Sequence, residues 1–362
     1  MRYVNPFVAV LFLFVYLSVY VPPKPSFDLW IVTFAVPFVI VVNLVLVVLF
    51  AALRKRTVFY YLVPLLFTYN FLVASLGVKG IFGAYDGKGK SFAVSSYNVS
   101  GLRLPKRSNP IKFGFANDKD SLTYKIRSWI LANDADIQCY QEFYYNKHNN
   151  YFKTIEALRN SGMQCAYHSR DSSGRPSFGL LIASKFPIIR HGMVVVGQTD
   201  YNGVMYADLL VTPNDTLRVM NVHLESMEMK RHNPTSEGSI DEKASRIRTI
   251  LSKLRNGVLT RKNQVEILLE AIERSPYPVI CAGDFNELPY SYSYQLLARR
   301  MTNAFEEEGK GFGFTYNGKT LQMLRIDNHF FTEGLHVRDF ETLKLVTYSD
   351  HFPTLAHYSL GD

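Results

Sequence analysis

The chain sets polar side chains at the ends of apolar, strand-like runs. Val279-Ile280-Cys281-Ala282 leads into Gly283-Asp284-Phe285-Asn286. Side chains alternate along a strand, so Asp284 and Asn286 are expected to point the same way. A carboxylate beside an amide suits a hard divalent cation and a phosphate oxygen, although Gly-Asp and Asn also serve as turn formers. The pattern recurs. Asn98 closes the run from Phe92, Glu142 follows Ile137–Gln141, and His223 lies within Val219–Leu224. Asp327 ends Leu324-Arg325-Ile326-Asp327, and Asp350 and His351 precede Phe352-Pro353. Each has an ordinary reading by itself: a turn former, an exposed strand end, a satisfied strand histidine, a carboxylate bonded to a nearby amide. Two sheets whose strands end on one edge would gather them into one pocket. Carboxylates, amides and histidines together are equipment for Mg²⁺-assisted phosphoryl chemistry. The sequence has no His-Cys cluster for zinc, no Walker-type loop and no Gly-x-Ser-x-Gly elbow.

In order, Tyr97-Asn98-Val99, Gln141-Glu142, Asn221-Val222-His223-Leu224, Gly283-Asp284-Phe285-Asn286, Arg325-Ile326-Asp327 and Ser349-Asp350-His351-Phe352-Pro353 resemble the motifs of the endonuclease/exonuclease/phosphatase superfamily. Its members include pancreatic-type deoxyribonucleases, abasic-site endonucleases, inositol-phosphate 5-phosphatases and neutral sphingomyelinases. The resemblance covers about residues 91–360 and is nearly silent on substrate. It implies Glu142 as the principal Mg²⁺ ligand (Mn²⁺ being the other candidate ion), with Asn98 beside it and Asp350 helping to hold the site. It implies that Asp284 orients the attacking water and Asn286 donates to the phosphate. His351 would stand at the scissile phosphate with Asp327 as its partner carboxylate, and His223 would bond a phosphate oxygen. The chain departs from the pattern after Asp327, where Asn328-His329-Phe330-Phe331 brings an extra histidine. His329 is expected on the sheet face opposite Asp327.

The elements that must position these residues follow from periodicity. Strands are expected at 91–99, 136–141, 177–183, 188–197, 325–332, 341–347 and 351–359. A hairpin is expected from 204–212 and 217–224 around Pro213-Asn214-Asp215. Helical spacing marks 121–131, 151–160, 242–254, 261–274 and 292–298. Residues 225–245 read as a long surface loop. The expected fold is an α/β (α+β) four-layered β-sandwich with flanking helices, preceded by an α-helical transmembrane anchor.

That anchor rests on three apolar runs, about 4–22, 29–53 and 57–78, set against the roughly 20 residues a membrane span needs. A cleaved signal peptide is the other reading of the first run, but no small-residue cleavage site follows it. The domain plan is thus a three-helix anchor over 1–80, a Gly- and Lys-rich linker over 81–90 and a catalytic domain over 91–362. Arg54-Lys55-Arg56 is the basic cluster between spans, which puts that junction in the cytoplasm and the catalytic domain outside it. Of the net charge of +9, residues 1–90 hold +6, from eight Lys/Arg against Asp28 and Asp86. The remainder carries only +3, weak electrostatic help for nucleic acid. Three cysteines, Cys139, Cys165 and Cys281, make no disulfide framework and read as buried small hydrophobes.

The expectation is an Mg²⁺-dependent hydrolase of phosphomonoesters or phosphodiesters, multi-pass in the cytoplasmic membrane. Its substrate would be a lipid headgroup or another small phosphoester. The alternatives are an extracytoplasmic endo- or exonuclease and a catalytically silent membrane-anchored binding protein. A transport path through the spans is disfavoured, because they carry no ionisable side chain suited to one. Oligomeric state is not legible.

Overall fold

The computed structural model describes residues 4–26, 28–81, 91–104, 119–171, 175–197, 201–226, 240–318 and 324–361. The expected linker therefore lies almost wholly outside the described residues, as does most of the expected loop at 225–245. The chain divides into two compact units.

One unit combines residues 1–75, 227–263 and 287–297. Its N-terminal helices are α1 (Val4–Ser18), α2 (Val36–Ala52), α3 (Val58–Leu66) and α4 (Tyr69–Ser75). A tight helical turn continues α2 upstream, giving one apolar helix over Leu29–Ala52 with only 17% of its most apolar stretch buried. It is the one unbroken described helix long and apolar enough to cross a membrane. The third apolar run is instead two helices bent by 62°. Pro64 removes an amide from α3 and crowds the preceding turn, while Thr68 Oγ1 turns back to the Leu65 carbonyl at 2.7 Å. The first run stops at Ser18, short of a full span. Phe12, Tyr16, Val36, Ile40, Tyr61 and Phe71 pack as the core of this bundle, whereas Phe7, Phe38, Val48 and Leu66 stand exposed.

The second unit, 76–226, 264–286 and 298–362, is a sandwich of mixed sheets. In chain order its strands are β1 (Leu76–Gly77), β2 (Ser91–Asn98), β3 (Ile137–Tyr145), β4 (Gln164–His168), β5 (Ser177–Ser184), β6 (Ile188–Val196) and β7 (Gly203–Leu210). They continue with β8 (Thr216–His223), β9 (Val279–Asp284), β10 (Thr302–Asn303), β11 (Gly311–Phe312), β12 (Asp327–Phe331), β13 (Leu335–Thr342) and β14 (Thr354–Leu360). One sheet runs β13-β14-β2-β3-β5-β4 and the other β10-β12-β9-β8-β7-β6; β1 and β11 form a separate pair. Phe92, Val94, Ile137, Cys139 and Ile182 of the first sheet meet Met205, Ala207, Val219, Ile280 and Ala282 of the second in the core. Helices α5 (Leu122–Ala132) and α6 (Thr154–Asn160) cover the outer face of the first sheet through Ile126, Ile130, Ile155 and Leu158.

Among the described residues three further α-helices follow: α7 (Ile240–Glu273), α8 (Tyr292–Ala298) and α9 (Ala304–Glu308). The two helices expected at 242–254 and 261–274 are one. Gly257 between them costs a helix only about 1 kcal/mol, and no proline intervenes. β13 begins six residues before the strand expected at 341–347, and β4 was not anticipated. All three cysteines are free, with Cys139 and Cys281 buried.

Candidate active site

The strand pairings explain why the motif residues meet. β2 and β3 pair in parallel, with Asn98 opposite Gln141. β8 and β9 also pair in parallel, with His223 opposite Asp284. β12 starts where β9 ends, so Asp327 faces Asp284 from the other side. Alternation does the rest. Phe92 and Val94 point into the inter-sheet core, and so therefore does Asn98. The same count from Val219 and from Ile280 brings His223 and Asp284 to that face.

Glu142 arrives by a different device. The β3–β5 register slips between Tyr140 and Phe143, and Glu142 takes a left-handed backbone with φ 51°. The extra residue lets Gln141 and Glu142 both leave the outer face, which Tyr140 and Phe143 keep. Asn286 likewise is not placed by strand alternation, because β9 ends at Asp284. It too has φ 51°. Its backbone amide donates to Asp284 Oδ1 at 2.9 Å, and its Nδ2 donates to the Leu224 carbonyl at 3.0 Å.

Around Asp284 the groups converge. Asn98 Nδ2 donates to Asp284 Oδ2 at 3.0 Å and reaches Glu142 Oε1 at 3.4 Å. Asn98 Oδ1 accepts the Ser100 amide at 3.0 Å. His223 Nε2 lies 3.6 Å from Asp284 Oδ2 and 3.9 Å from Glu142 Oε1. Its Nδ1 is 2.9 Å from the Tyr201 carbonyl, which can only accept, so Nδ1 carries hydrogen. His351 Nδ1 is 2.9 Å from Asp327 Oδ2, and its Nε2 is 3.6 Å from Asp284 Oδ2. Asp284, Asp327 and His351 thus offer ligand atoms within 4.8 Å of one another, all buried.

Charge state follows from this crowding. Burial opposes protonation of His351, but the carboxylates of Asp327 and Asp284 outweigh it and hold the imidazole well above its usual range. Burial also opposes ionisation of Asp350, yet His351 and Arg103 keep that carboxyl below its usual range. Asp350 lies 3.7 Å from Arg103 Nη1 and takes a hydrogen bond from Ser349 Oγ at 3.2 Å.

His329 is on the same face as Asp327, not the opposite one. Residues two apart on a strand share a face. Its Nε2 meets Thr354 Oγ1 at 3.0 Å and its Nδ1 meets Tyr358 OH at 3.3 Å, both in the facing sheet.

Several supporting residues escape sequence reasoning. Asn221 Nδ2 donates across the sheets to the Tyr140 and Leu181 carbonyls, at 2.9 Å each. Gln141 Nε2 returns a bond to Asn221 Oδ1 at 2.7 Å. Thr315 Oγ1 accepts the amides of Ile326 and Asp327, and the Tyr316 ring stands edge-on to His351 at 5.2 Å. Asn221 and Gln141 lie inside the motifs, so their spacing was a usable signal. Thr315, Tyr316, Tyr201 and Arg103 lie in segments without periodicity and gave none.

Comparison with known proteins agrees with this arrangement. No curated protein matches the chain. Residues 1–75 match a model described as Domain of unknown function (DUF8431). Among solved structures, the endonuclease/exonuclease/phosphatase from Beutenbergia cavernae is 16% identical over 75% of this chain and 72% of its own, with a TM-score of 0.50. The endonuclease/exonuclease/phosphatase from Bacteroides vulgatus is 16% identical over 75% and 99%, also at 0.50. A functionally unknown conserved protein from Enterococcus faecalis is 16% identical over 74% and 99%, again at 0.50. At such identities these neighbours share the fold alone. Residues 95–351 match the Endonuclease/Exonuclease/phosphatase family model, a span that runs from the strand bearing Asn98 to His351, and the chain belongs to that family.

Proposed function

We propose that this chain is an Mg²⁺-dependent phosphoesterase held at the outer face of the cytoplasmic membrane, acting on a lipid headgroup or another small phosphoester. The observation that carries the reading is the buried Asp327–His351 pair directed at Asp284. Such a triad, next to a second histidine and a further carboxylate, suits hydrolysis at phosphorus.

The donor set fits a hard cation. Glu142 offers a half-buried carboxylate beside Asn98 and Asp284, without a thiol among them, which suits Mg²⁺ or Mn²⁺. Glu142 would be its principal ligand, with Asp350 and Asn98 in support. As placed, Asn98 spends its amide nitrogen on Glu142 and Asp284, so it holds those two carboxylates together. When bound, the ion supplies neutralisation of charge developing on the phosphoryl oxygens.

The chain's own groups divide the remaining work. Asp284 orients a water for in-line attack on phosphorus, as the bond to the leaving oxygen breaks. His351, kept protonated by Asp327, presents an N–H at Nε2 to a phosphoryl oxygen. His223 is fixed at Nδ1 by the Tyr201 carbonyl, so Nε2 is the atom it presents. Asn286 uses one amide hydrogen on Leu224 and keeps the other for the phosphate.

The membrane part of the reading rests on the helix Leu29–Ala52 and on its exposed Phe38, Val41, Val45 and Val48. A core helix of a soluble protein would bury that surface. Arg54-Lys55-Arg56 favours a cytoplasmic turn between α2 and α3. Two contacts within the helical unit lie at the ends that this reading puts outside. Asp28 pairs with Arg255, and Ser75 Oγ lies 3.0 Å from Tyr290 OH, so both outer ends meet later parts of the chain.

The test is hydrolysis by the full chain, reconstituted in vesicles, against a panel of lipid diesters, sugar phosphates, nucleotides and DNA. Mg²⁺-dependent turnover that EDTA abolishes and fresh Mg²⁺ restores is expected, and Asp284→Asn should lack it. Failure on every phosphoester would sink the proposal. DNA cleavage falling steeply with salt would reassign the chain as a nuclease.

A further inference from the structure

Helix α7 carries a surface that neither the sandwich nor the site uses. Its last turns, from Gln264, belong to the sandwich, where Val265, Leu268, Leu269 and Ile272 are buried. Its earlier turns belong to the helical unit. There Ile247, Ile250 and Leu251 are exposed by 57%, 45% and 36%. Leu254 and Val258, both half-buried, extend the same stripe at helical spacing. The opposite face is Ser245, Thr249, Ser252 and Asn256, all small, polar and exposed. Arg248 and Lys253 are exposed on the flanks. From Ser245 to Gln264 the chain contains six basic residues and no acidic one.

Three features fix what covers the stripe. First, α7 is tied to the mouth of the apolar helix. Arg255 Nε donates to Asp28 Oδ1 at 2.6 Å, and Arg255 Nη2 also bonds Asp28. Asp28 immediately precedes Leu29–Ala52. Second, Trp30 Nε1 donates to the same Asp28 at 3.0 Å. Trp30 is itself buried, so this bond holds the Asp28 carboxylate towards Arg255. Third, the charge pattern excludes pairing with a second copy as the favoured arrangement. Ile247, Leu251, Leu254 and Val258 follow coiled-coil spacing, but the flanking positions are Arg248, Arg255 and Lys262 on one side and Ile250 and Gly257 on the other. A self-pairing coil needs opposite charges across those positions. Basic flanks around an apolar stripe suit an anionic lipid surface instead.

We propose that residues 245–258 of α7 form an interfacial helix that lies in the membrane plane, with Ile247, Ile250 and Leu251 in the acyl boundary and Arg248 and Lys253 among anionic headgroups. The proposal rests on the membrane-attached reading above and needs no particular substrate. Its consequence is a second attachment besides the N-terminal helices, made to lipid by a segment that leads directly into the sandwich.

The test uses the full chain in vesicles of phosphatidylcholine with about one-third phosphatidylglycerol. In a chain freed of its half-buried thiol by Cys165→Ser, spin labels are placed singly by Ile247→Cys, Ile250→Cys, Leu251→Cys, Thr249→Cys and Ser252→Cys. Collision with lipid-soluble oxygen should exceed collision with an aqueous nickel chelate several-fold at 247, 250 and 251, and the ratio should invert at 249 and 252. Aqueous access at all five positions overturns the proposal. Dipolar broadening at 247 and 251 that disappears on dilution with unlabelled chain also overturns it, by assigning the stripe to a second copy. Flotation of the unlabelled chain with the vesicles tests the anchor separately, so a chain that floats with a solvent-exposed stripe refutes only this inference.

Discussion

Asp327→Asn tests the His351 pairing most directly. The paired carboxylates hold the imidazole protonated well above its usual range, so a rate that needs imidazolium is lost as pH rises through that raised value. Removing one negative charge lowers it. The alkaline fall of kcat/KM should therefore move to lower pH in Asp327→Asn, with the rate at neutral pH reduced by about 10²–10⁴. An unmoved alkaline limb would separate His351 from the rate. His329 makes a different prediction. Burial pushes its pKa down to about 3, against about 6.5 in an unfolded chain. The folded value is depressed, so its contribution is whole above about 6.5 and is lost as pH falls towards 3, at up to about 1.4 kcal/mol per pH unit. Urea midpoints of the detergent-solubilised chain at pH 7 and pH 5 should differ less in His329→Gln than in the wild type. The residues legible in sequence were those at strand ends, because alternation alone aims them. Glu142 and Asn286 had readable chemistry but unreadable geometry, since each is aimed by a left-handed residue.

At the scale of elements, the β8–β9 pair controls the site, and Gly283 controls the pair. Its φ is 156°, and an added Cβ would sit 1.9 Å from the Val222 carbonyl oxygen. Backbone cannot yield as a side chain can, so Gly283→Ala must part the two strands that carry His223 and Asp284. A loss of about 2 kcal/mol or more is expected, read as a thermal midpoint several degrees lower by circular dichroism. An unchanged midpoint would mean the pair tolerates the separation. Gly283 opens the very motif that suggests a turn, and the turn-former reading captured its presence without its cause. Element errors had similar local origins. α7 runs on because a single glycine is a weak stop, and β13 starts early because a register shift between Val337 and Asp339 interrupts its two-residue period.

For the whole molecule, the sandwich was legible because strand spacing and six motifs agree on it. The N-terminal part was legible only as composition. Three apolar runs gave one long helix, one short helix and a bent pair, since hydropathy does not register a break such as that at Phe67–Thr68. Membrane attachment predicts that the full chain stays in the pellet after alkaline carbonate extraction. Val41→Arg with Val45→Arg, both on exposed surface of that helix, should raise the extracted fraction, because each charge at a span centre costs about 2.5–3.5 kcal/mol. An unchanged fraction in the double variant would count against this helix as the anchor.

The order of strands also bears on synthesis. β2, which carries Asn98, lies between β3 and β14. Its Ser96 carbonyl is bonded by Thr354, 258 residues further along. At about 5–20 residues per second, translation leaves that edge of β2 open for roughly ten to fifty seconds. An unpaired edge is a template for mispairing. The nascent chain therefore has most need of chaperone cover between the emergence of Ser91 and that of Leu360, and slow codons in that interval would prolong the exposure.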